Sequence, residues 1–344
     1  MNERRPSIVF RTEAGFKTGL GHIKRCLRLA DFLERHFHPE ITFLVSSRDC
    51  QWEKLFLEKP YQARLVKEGD EGPVVESFFQ RGVNRAWISD LRTVKDKALI
   101  QGLADRHGFL HIAVDDMHLC GVKAGTTINP SIVPCSPSSH SNSEGKYYCG
   151  VEYFLSNPLE NTCRAYVKGG KKVLISMGGS DPNGVTNKLL PFISGTGEEM
   201  EAHVVVGPAF NWDAGKVPAG GENIFYHHAP ESLEPLIAMS DLVVTSAGLT
   251  LYEAVRMGVP AITIPQNPFE ERTADAFQNK GAALAMGAGG QVDPALVVST
   301  ALALLKDQER LKEMSGCKGI FKGSGFELIK GLLEFPDPNK SEKK

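Results

Sequence analysis

Short apolar runs, each closed by glycine, proline or an acid, recur along the chain. Ser7-Ile8-Val9-Phe10-Arg11 is the first, and a glycine-rich turn follows from Gly15 to Gly21. From His22 to about Phe37 the period changes: Ile23, Cys26, Leu27, Ala30, Leu33 and Phe37 fall on one face at helical spacing. Ile41–Val45, Ala86–Ser89 and His111–Val114 predict further strands, and the last two run into acids, Asp90 and the pair Asp115-Asp116. Lys172–Met177, His203–Gly207, Leu242–Ser246 and Ala261–Pro265 repeat the pattern, with helical stretches between them. These runs carry Val and Ile without polar alternation. That predicts sheets covered on both faces, hence parallel α/β layers.

The pattern breaks at Pro134–Gly145, which reads PCSPSSHSNSEG and has no periodicity. It predicts an exposed loop near the end of a first domain, with the domain change between Gly150 and Gly170. A length of 344 residues fits two domains at about 150 residues each. The expected division is residues 7–155, residues 165–334 and a frayed tail, 335–344. Hydrophobic residues are 42% and charged residues 23%, with a net charge of -2, so the chain is neither disordered nor marked for nucleic acid or an anionic membrane. The seven cysteines (Cys26, Cys50, Cys120, Cys135, Cys149, Cys163 and Cys317) are widely spaced with no CxxC, and reduced thiols are expected. No apolar run approaches the roughly 18 residues of a membrane span, and the expectation is a cytoplasmic protein without stable membrane insertion.

In open α/β sheets ligands bind beyond the carboxyl ends of the strands, so strand-to-helix turns are where chemistry is expected. Three stand out. Gly19-Leu20-Gly21-His22 lets the backbone approach a ligand and puts a histidine in the first turn of a helix. The positive end of the helix dipole there favours an uncharged imidazole, which suits a general base. A glycine turn with an incidental histidine is the alternative, and Lys24 and Arg25 are expected to face solvent or the partner domain. Gly178-Gly179-Ser180-Asp181-Pro182 can cradle a phosphate, with Asp181 as N-cap and Pro182 opening the helix; an ordinary capped turn is equally open. Ser246-Ala247-Gly248-Leu249-Thr250 offers backbone and hydroxyl donors to phosphates. Glu253, one turn further on, could hold both hydroxyls of a ribose or could be a solvated helix residue. There is no Walker loop, no dinucleotide fingerprint and no cluster with ligand spacing. His227-His228 reads as structural or as pocket wall, and neither cofactor nor metal is expected.

Phe10-Arg11-Thr12-Glu13, Gly19–Leu27, Asp115-Asp116, Gly178–Pro182 and Ser246–Glu253, in that order, resemble the UDP-2,4-diacetamido-2,4,6-trideoxy-β-L-altropyranose hydrolases of pseudaminic acid biosynthesis. These are grouped with spore-coat polysaccharide proteins, and the C-terminal turns are shared with MurG-like glycosyltransferases. Tyr148–Leu155 is similar to the stretch that joins that family's domains. The resemblance implies an α/β, GT-B-like architecture, two Rossmann-like domains facing across a cleft. It implies a UDP-sugar substrate, with His22 activating water for attack at the anomeric carbon and Glu253 on the ribose. Two positions depart from the family: Glu13 stands where Asp is usual, and Phe269-Glu270 where an Asn-Gln pair is usual, with Gln266-Asn267 just upstream as a possible substitute. The alternatives are a GT-B glycosyltransferase, a hydrolysing UDP-N-acetylglucosamine 2-epimerase and a non-catalytic nucleotide-sugar-binding protein.

Overall fold

A computed structural model describes residues 6–15, 20–47, 52–67, 73–74, 85–91, 94–114, 125–133, 145–156, 170–207, 210 and 222–333, with side chains described except at 85 and 94–99. The chain divides into two compact units. One is Met1–Pro158 together with Lys322–Lys344; the other is Leu159–Phe321.

In the first unit β1 (Ser7–Ala14), β2 (Glu40–Ser47), β3 (Gln62–Leu65), β4 (Arg85–Asp90), β5 (Leu110–Val114), β6 (Thr126–Asn129) and β7 (Lys146–Cys149) form one parallel sheet, in the order β3-β2-β1-β4-β5-β6-β7. The alternation within each strand decides which helix covers which face. Ile8, Phe10, Phe43, Ile88 and Ile112 point to α1 (Gly21–Phe37), while Val9, Leu44 and Trp87 point to the side of α2 (Val94–His107), where Ile100 and Leu103 meet them. Helix α1 presents Ile23, Cys26, Leu27, Ala30 and Leu33 to the core, as its spacing predicts, and adds Leu29 and Phe32. It ends at His38, which takes a left-handed conformation (φ 47°) and returns its N–H to the Glu34 carbonyl.

The second unit repeats the scheme. Strands β8 (Lys172–Ser176), β9 (Glu201–Val206), β10 (Ile224–His228), β11 (Leu242–Thr245), β12 (Ala261–Thr263) and β13 (Ala283–Ala285) are parallel in the order β10-β9-β8-β11-β12-β13. Helices α3 (Val185–Ser194), α7 (Pro294–Lys306) and α8 (Gln308–Gly316) cover one face, and α4 (Glu234–Met239) and α5 (Leu249–Arg256) the other; α6 (Pro268–Asn279) leads from β12 to β13. Both sheets therefore reverse direction of winding beside their first strand, between β1 and β4 and between β8 and β11. Those reversals are where doubly wound sheets bind ligands.

Several expectations change. Helix α9 (Gly325–Leu333) was expected in the second domain, but Phe326, Ile329 and Leu333 pack into the α1 face of the first. Helix α3 starts at Val185, not at Pro182, because the chain turns at Asp181 (φ 42°) and Gly184 (φ 60°) before it winds. Cys26 and Cys317 are free thiols, as expected, whereas Cys149 is disulfide-bonded. Gly19, Asp115 and Asp116, most of the 134–145 loop and the tail from 335 lie outside the described residues.

Candidate active site

At the reversal of the first sheet, β1 and the turn after it deliver Glu13 and His22, and the end of β4 delivers Asp90. His22 Nδ1 lies 2.6 Å from Asp90 Oδ1. Arg25, one helical turn beyond His22, donates from Nη2 to the same oxygen (2.5 Å) and from Nε to Oδ2. Cys26 Sγ lies 3.6 Å from Oδ2. His22, Arg25 and Asp90 are all buried. Arg25 Nη2 is also 3.2 Å from His22 Nδ1, which follows from two donors sharing one acceptor. With both oxygens of Asp90 accepting, the His22 proton belongs on Nδ1 and the lone pair on Nε2, the arrangement of a general base held by a carboxylate.

Burial pushes the Asp90 carboxyl up, but Arg25 and then His22 beside it outweigh burial and hold it well below the usual carboxylate range. Burial, with the Asp90 charge adding to it, pushes the Cys26 thiol up, so this cysteine is no nucleophile. Arg25, expected to face solvent or the partner domain, instead turns inward to Asp90, because i and i+3 share a helix face and His22 and Arg25 meet the same carboxylate. Asp90 was legible only as an acid ending a strand. Its role follows from the sheet order, which lays β4 against β1.

At the reversal of the second sheet the turns after β8, β9 and β11 converge. Gly178 has φ 83°, and a Cβ on Gly207 would come within 2.4 Å of the Gly179 carbonyl oxygen and 2.7 Å of that of Gly178. The chain leaving β9 thus rests backbone to backbone on the Gly178-Gly179 turn. Ser246 Oγ lies 3.9 Å from the Cβ position of Gly178 and 3.6 Å from that of Gly248, so it sits between the β8 and β11 turns. Ser246, Ala247 and Thr250 are buried; Gly179, Ser180 and Leu249 are partly exposed.

The two predicted anion seats differ. At α3 the first free N–H groups are taken, since Asp181 accepts from Val185 N (2.9 Å) and Thr186 N (2.8 Å). Asn267, Asp293 and Asp307 likewise cap α6, α7 and α8. At α5 the N-cap is Gly248, and no side chain caps the helix. Of these two helix starts, the one at Gly248-Leu249-Thr250 leaves its first N–H groups without a side-chain cap, whereas the one after Gly179 is capped by Asp181. Glu253, on the same helix, is 7% exposed, which overturns its reading as a solvated residue.

Gln266 and Asn267, just upstream of Phe269-Glu270, are both hydrogen-bonded within the second unit. Asn267 caps α6 through Phe269 N and Glu270 N, and Gln266 accepts from Asn183 Nδ2 (2.7 Å). Glu270 instead accepts from Gln266 N (2.9 Å) through Oε2 and brings Oε1 to 3.9 Å from the Cβ position of Gly248. Glu270 thus puts a carboxylate beside the end of α5 that no side chain caps. His227 Nε2 lies 3.0 Å from Nδ1 of the buried His203, whose other nitrogen faces Glu201.

The fold is the GT-B glycosyltransferase fold, two parallel-sheet α/β domains. The solved structure of MurG from Acinetobacter baumannii superposes with a TM-score of 0.65 over 96% of this chain and 99% of that one, at 16% identity. Residues 173–331 match the family model described as Glycosyltransferase family 28 C-terminal domain. Among particular relatives, the spore coat polysaccharide biosynthesis protein SpsG of Bacillus subtilis is 20% identical over 338 residues, covering 94% of this chain and 96% of that protein. An uncharacterised protein of Methanocaldococcus jannaschii is 25% identical over 289 residues, 79% of this chain; the match spans only 58% of that protein's length.

Proposed function

We propose that the protein is a nucleotide-sugar enzyme in which His22 deprotonates an acceptor for attack at the anomeric carbon of a UDP-linked sugar. The observation that carries this reading is the buried His22–Asp90–Arg25 arrangement at the reversal of the first sheet. Asp90 fixes the tautomer and stabilises the imidazolium that forms; Arg25 keeps Asp90 ionised. In the second unit the uncapped N-terminus of α5, with Ser246 and Thr250, would take the diphosphate. These donors would meet the negative charge that grows on the departing UDP. Glu253 would hold the ribose.

The likeness of residues 173–331 to a glycosyltransferase domain and the GT-B fold support transfer to a sugar or other hydroxyl acceptor. A second reading has water as acceptor, making the protein a hydrolase of a UDP-diacetamido-trideoxy sugar in nonulosonic acid biosynthesis. Its support is the run Gly21-His22-Ile23-Lys24-Arg25-Cys26-Leu27 together with the nearly full-length likeness to the spore coat protein. The deciding experiment incubates the protein with UDP-2,4-diacetamido-2,4,6-trideoxy-β-L-altropyranose and no acceptor. UDP with free sugar supports hydrolysis; UDP release only after an acceptor is added supports transfer; none in either case rejects both.

A further inference from the structure

The two nitrogens of His22 face two different carboxylates. Nδ1 is bound to Asp90, and Nε2 lies 3.9 Å from Glu13 Oε1. Both side chains are nearly enclosed, His22 at 8% and Glu13 at 12% exposure. Glu13 sits on β1 in register with Ser46 of β2, and His22 sits in the first turn of α1. The gap between them is therefore set by sheet and helix, not by two loose surface side chains.

A separation of 3.9 Å is too long for a direct hydrogen bond. It does suit one shared atom: an oxygen about 2.8 Å from each would subtend about 90°, close to the angle between the two O–H bonds of water. With the proton on Nδ1, both Nε2 and Oε1 are acceptors. An atom that donates to both must bring two protons. Water has two; an alcohol oxygen has one, and turns a lone pair towards whichever acceptor it leaves unmet.

We propose that Glu13 and His22 form a two-acceptor clamp that selects water as the nucleophile. The proposal rests on His22 being the base, as argued above, and decides between the two acceptors left open there. Water would donate one proton towards Nε2 and one towards Oε1. As its oxygen bonds to the anomeric carbon, the bond from that carbon to the phosphate oxygen breaks and its electron pair leaves with UDP. Nε2 takes the first proton; the second stays on the new anomeric hydroxyl, still facing Glu13. The imidazolium then returns its proton to solvent, so UDP-sugar and water give free sugar, UDP and one proton.

The test uses the full chain with UDP-2,4-diacetamido-2,4,6-trideoxy-β-L-altropyranose in amine-free buffer containing methanol. UDP release is followed, together with the ratio of free sugar to methyl glycoside. The wild type should give free sugar with little methyl glycoside. Glu13→Gln should lose about 10- to 100-fold in hydrolysis, keep its UDP affinity and raise the methyl glycoside share several-fold. Glu13→Asp, which keeps a carboxylate, should keep the wild-type ratio. If the Gln variant does not fold, Glu13→Ala is read by the same ratio. An unchanged ratio in the variant would make Glu13 a mere support for the imidazole and overturn the clamp. So would a wild type that glycosylates methanol in proportion to its concentration. A wild type active only with a sugar acceptor overturns the clamp but leaves His22 as base. A wild type inactive under every condition overturns the proposed function, and the clamp with it.

Discussion

His22 and Asp90 are 68 positions apart in sequence, yet one hydrogen bond apart in space. Removing the imidazole with His22→Ala should reduce turnover to background and leave UDP binding intact, because the proposed nucleotide turns belong to the other unit. Calorimetry with UDP checks this, and a matching loss of affinity would count against the base. Asp90→Asn keeps the shape but leaves Arg25 buried without its counter-charge, a change expected to cost about 3–5 kcal/mol. It also frees the imidazole to take the wrong tautomer, so the rate should fall by something like 10²–10⁴. The pH dependence has a definite sign. The folded Asp90 carboxyl titrates lower than the unfolded one, so its stabilisation is full above the unfolded value, near 4, and is lost as pH falls towards the folded one. The stability gap between wild type and Asp90→Asn should therefore shrink as pH falls below about 4. Denaturant midpoints from about pH 5 downwards measure it, and a gap that widens below about 4 would contradict the ionised Asp90. Of these residues, His22 could be found from its place beside glycines at a helix start. Arg25 and Asp90 could not, since nothing local says which charged residue will be enclosed; that depends on strand order.

At the scale of elements, strands buried on both faces were legible and strands at the margins were not. β1, β4, β8 and β11 are continuous apolar runs and announce themselves. Gln62–Leu65, Lys146–Cys149, Ile224–His228 and Ala283–Ala285 are edge strands, short or polar on one side, and carry no comparable run. Turns behave similarly. The glycines after β8 and β11 marked their places, but the role of Gly207 depends on a contact between two turns that are distant in sequence. Gly207→Ala would press a methyl group against the Gly178 and Gly179 carbonyls, with the nearest oxygen at 2.4 Å. Backbone cannot yield as a flexible side chain does, so the variant should lose roughly 1–3 kcal/mol and weaken UDP binding, while the His22–Asp90 pair is undisturbed. Thermal melts with and without UDP separate the two effects; a variant with wild-type stability and affinity would mean the turns can part without consequence.

The whole molecule is two doubly wound units, the first of which the chain leaves and re-enters. After Phe321 the chain returns to the first unit, and the return is built for close approach. A Cβ on Gly325 would come within 2.2 Å of the Tyr153 carbonyl oxygen, and one on Gly323 within 2.9 Å of that of Glu152. Gly325 N donates to the Phe154 carbonyl, and Ser324 Oγ to that of Ser156. Helix α9 then lays Phe326, fully buried, against Phe32 of α1 at a ring-centroid distance of 5.4 Å. The sequence shows an amphipathic helix there but not which core it serves, because an apolar face states only that it must be covered. Phe326→Ala should therefore destabilise the first unit, although the residue lies at the far end of the chain. The expected loss is about 3–5 kcal/mol, for a large aromatic removed from a filled core. Hydrogen exchange distinguishes the units directly. Amides of α1 and of β1, β2 and β4 should lose protection in the variant, and those of α3, α5 and β8 should keep it. Loss confined to the second unit would mean that α9 serves the core next to it in sequence, and the division at Phe321 would be wrong.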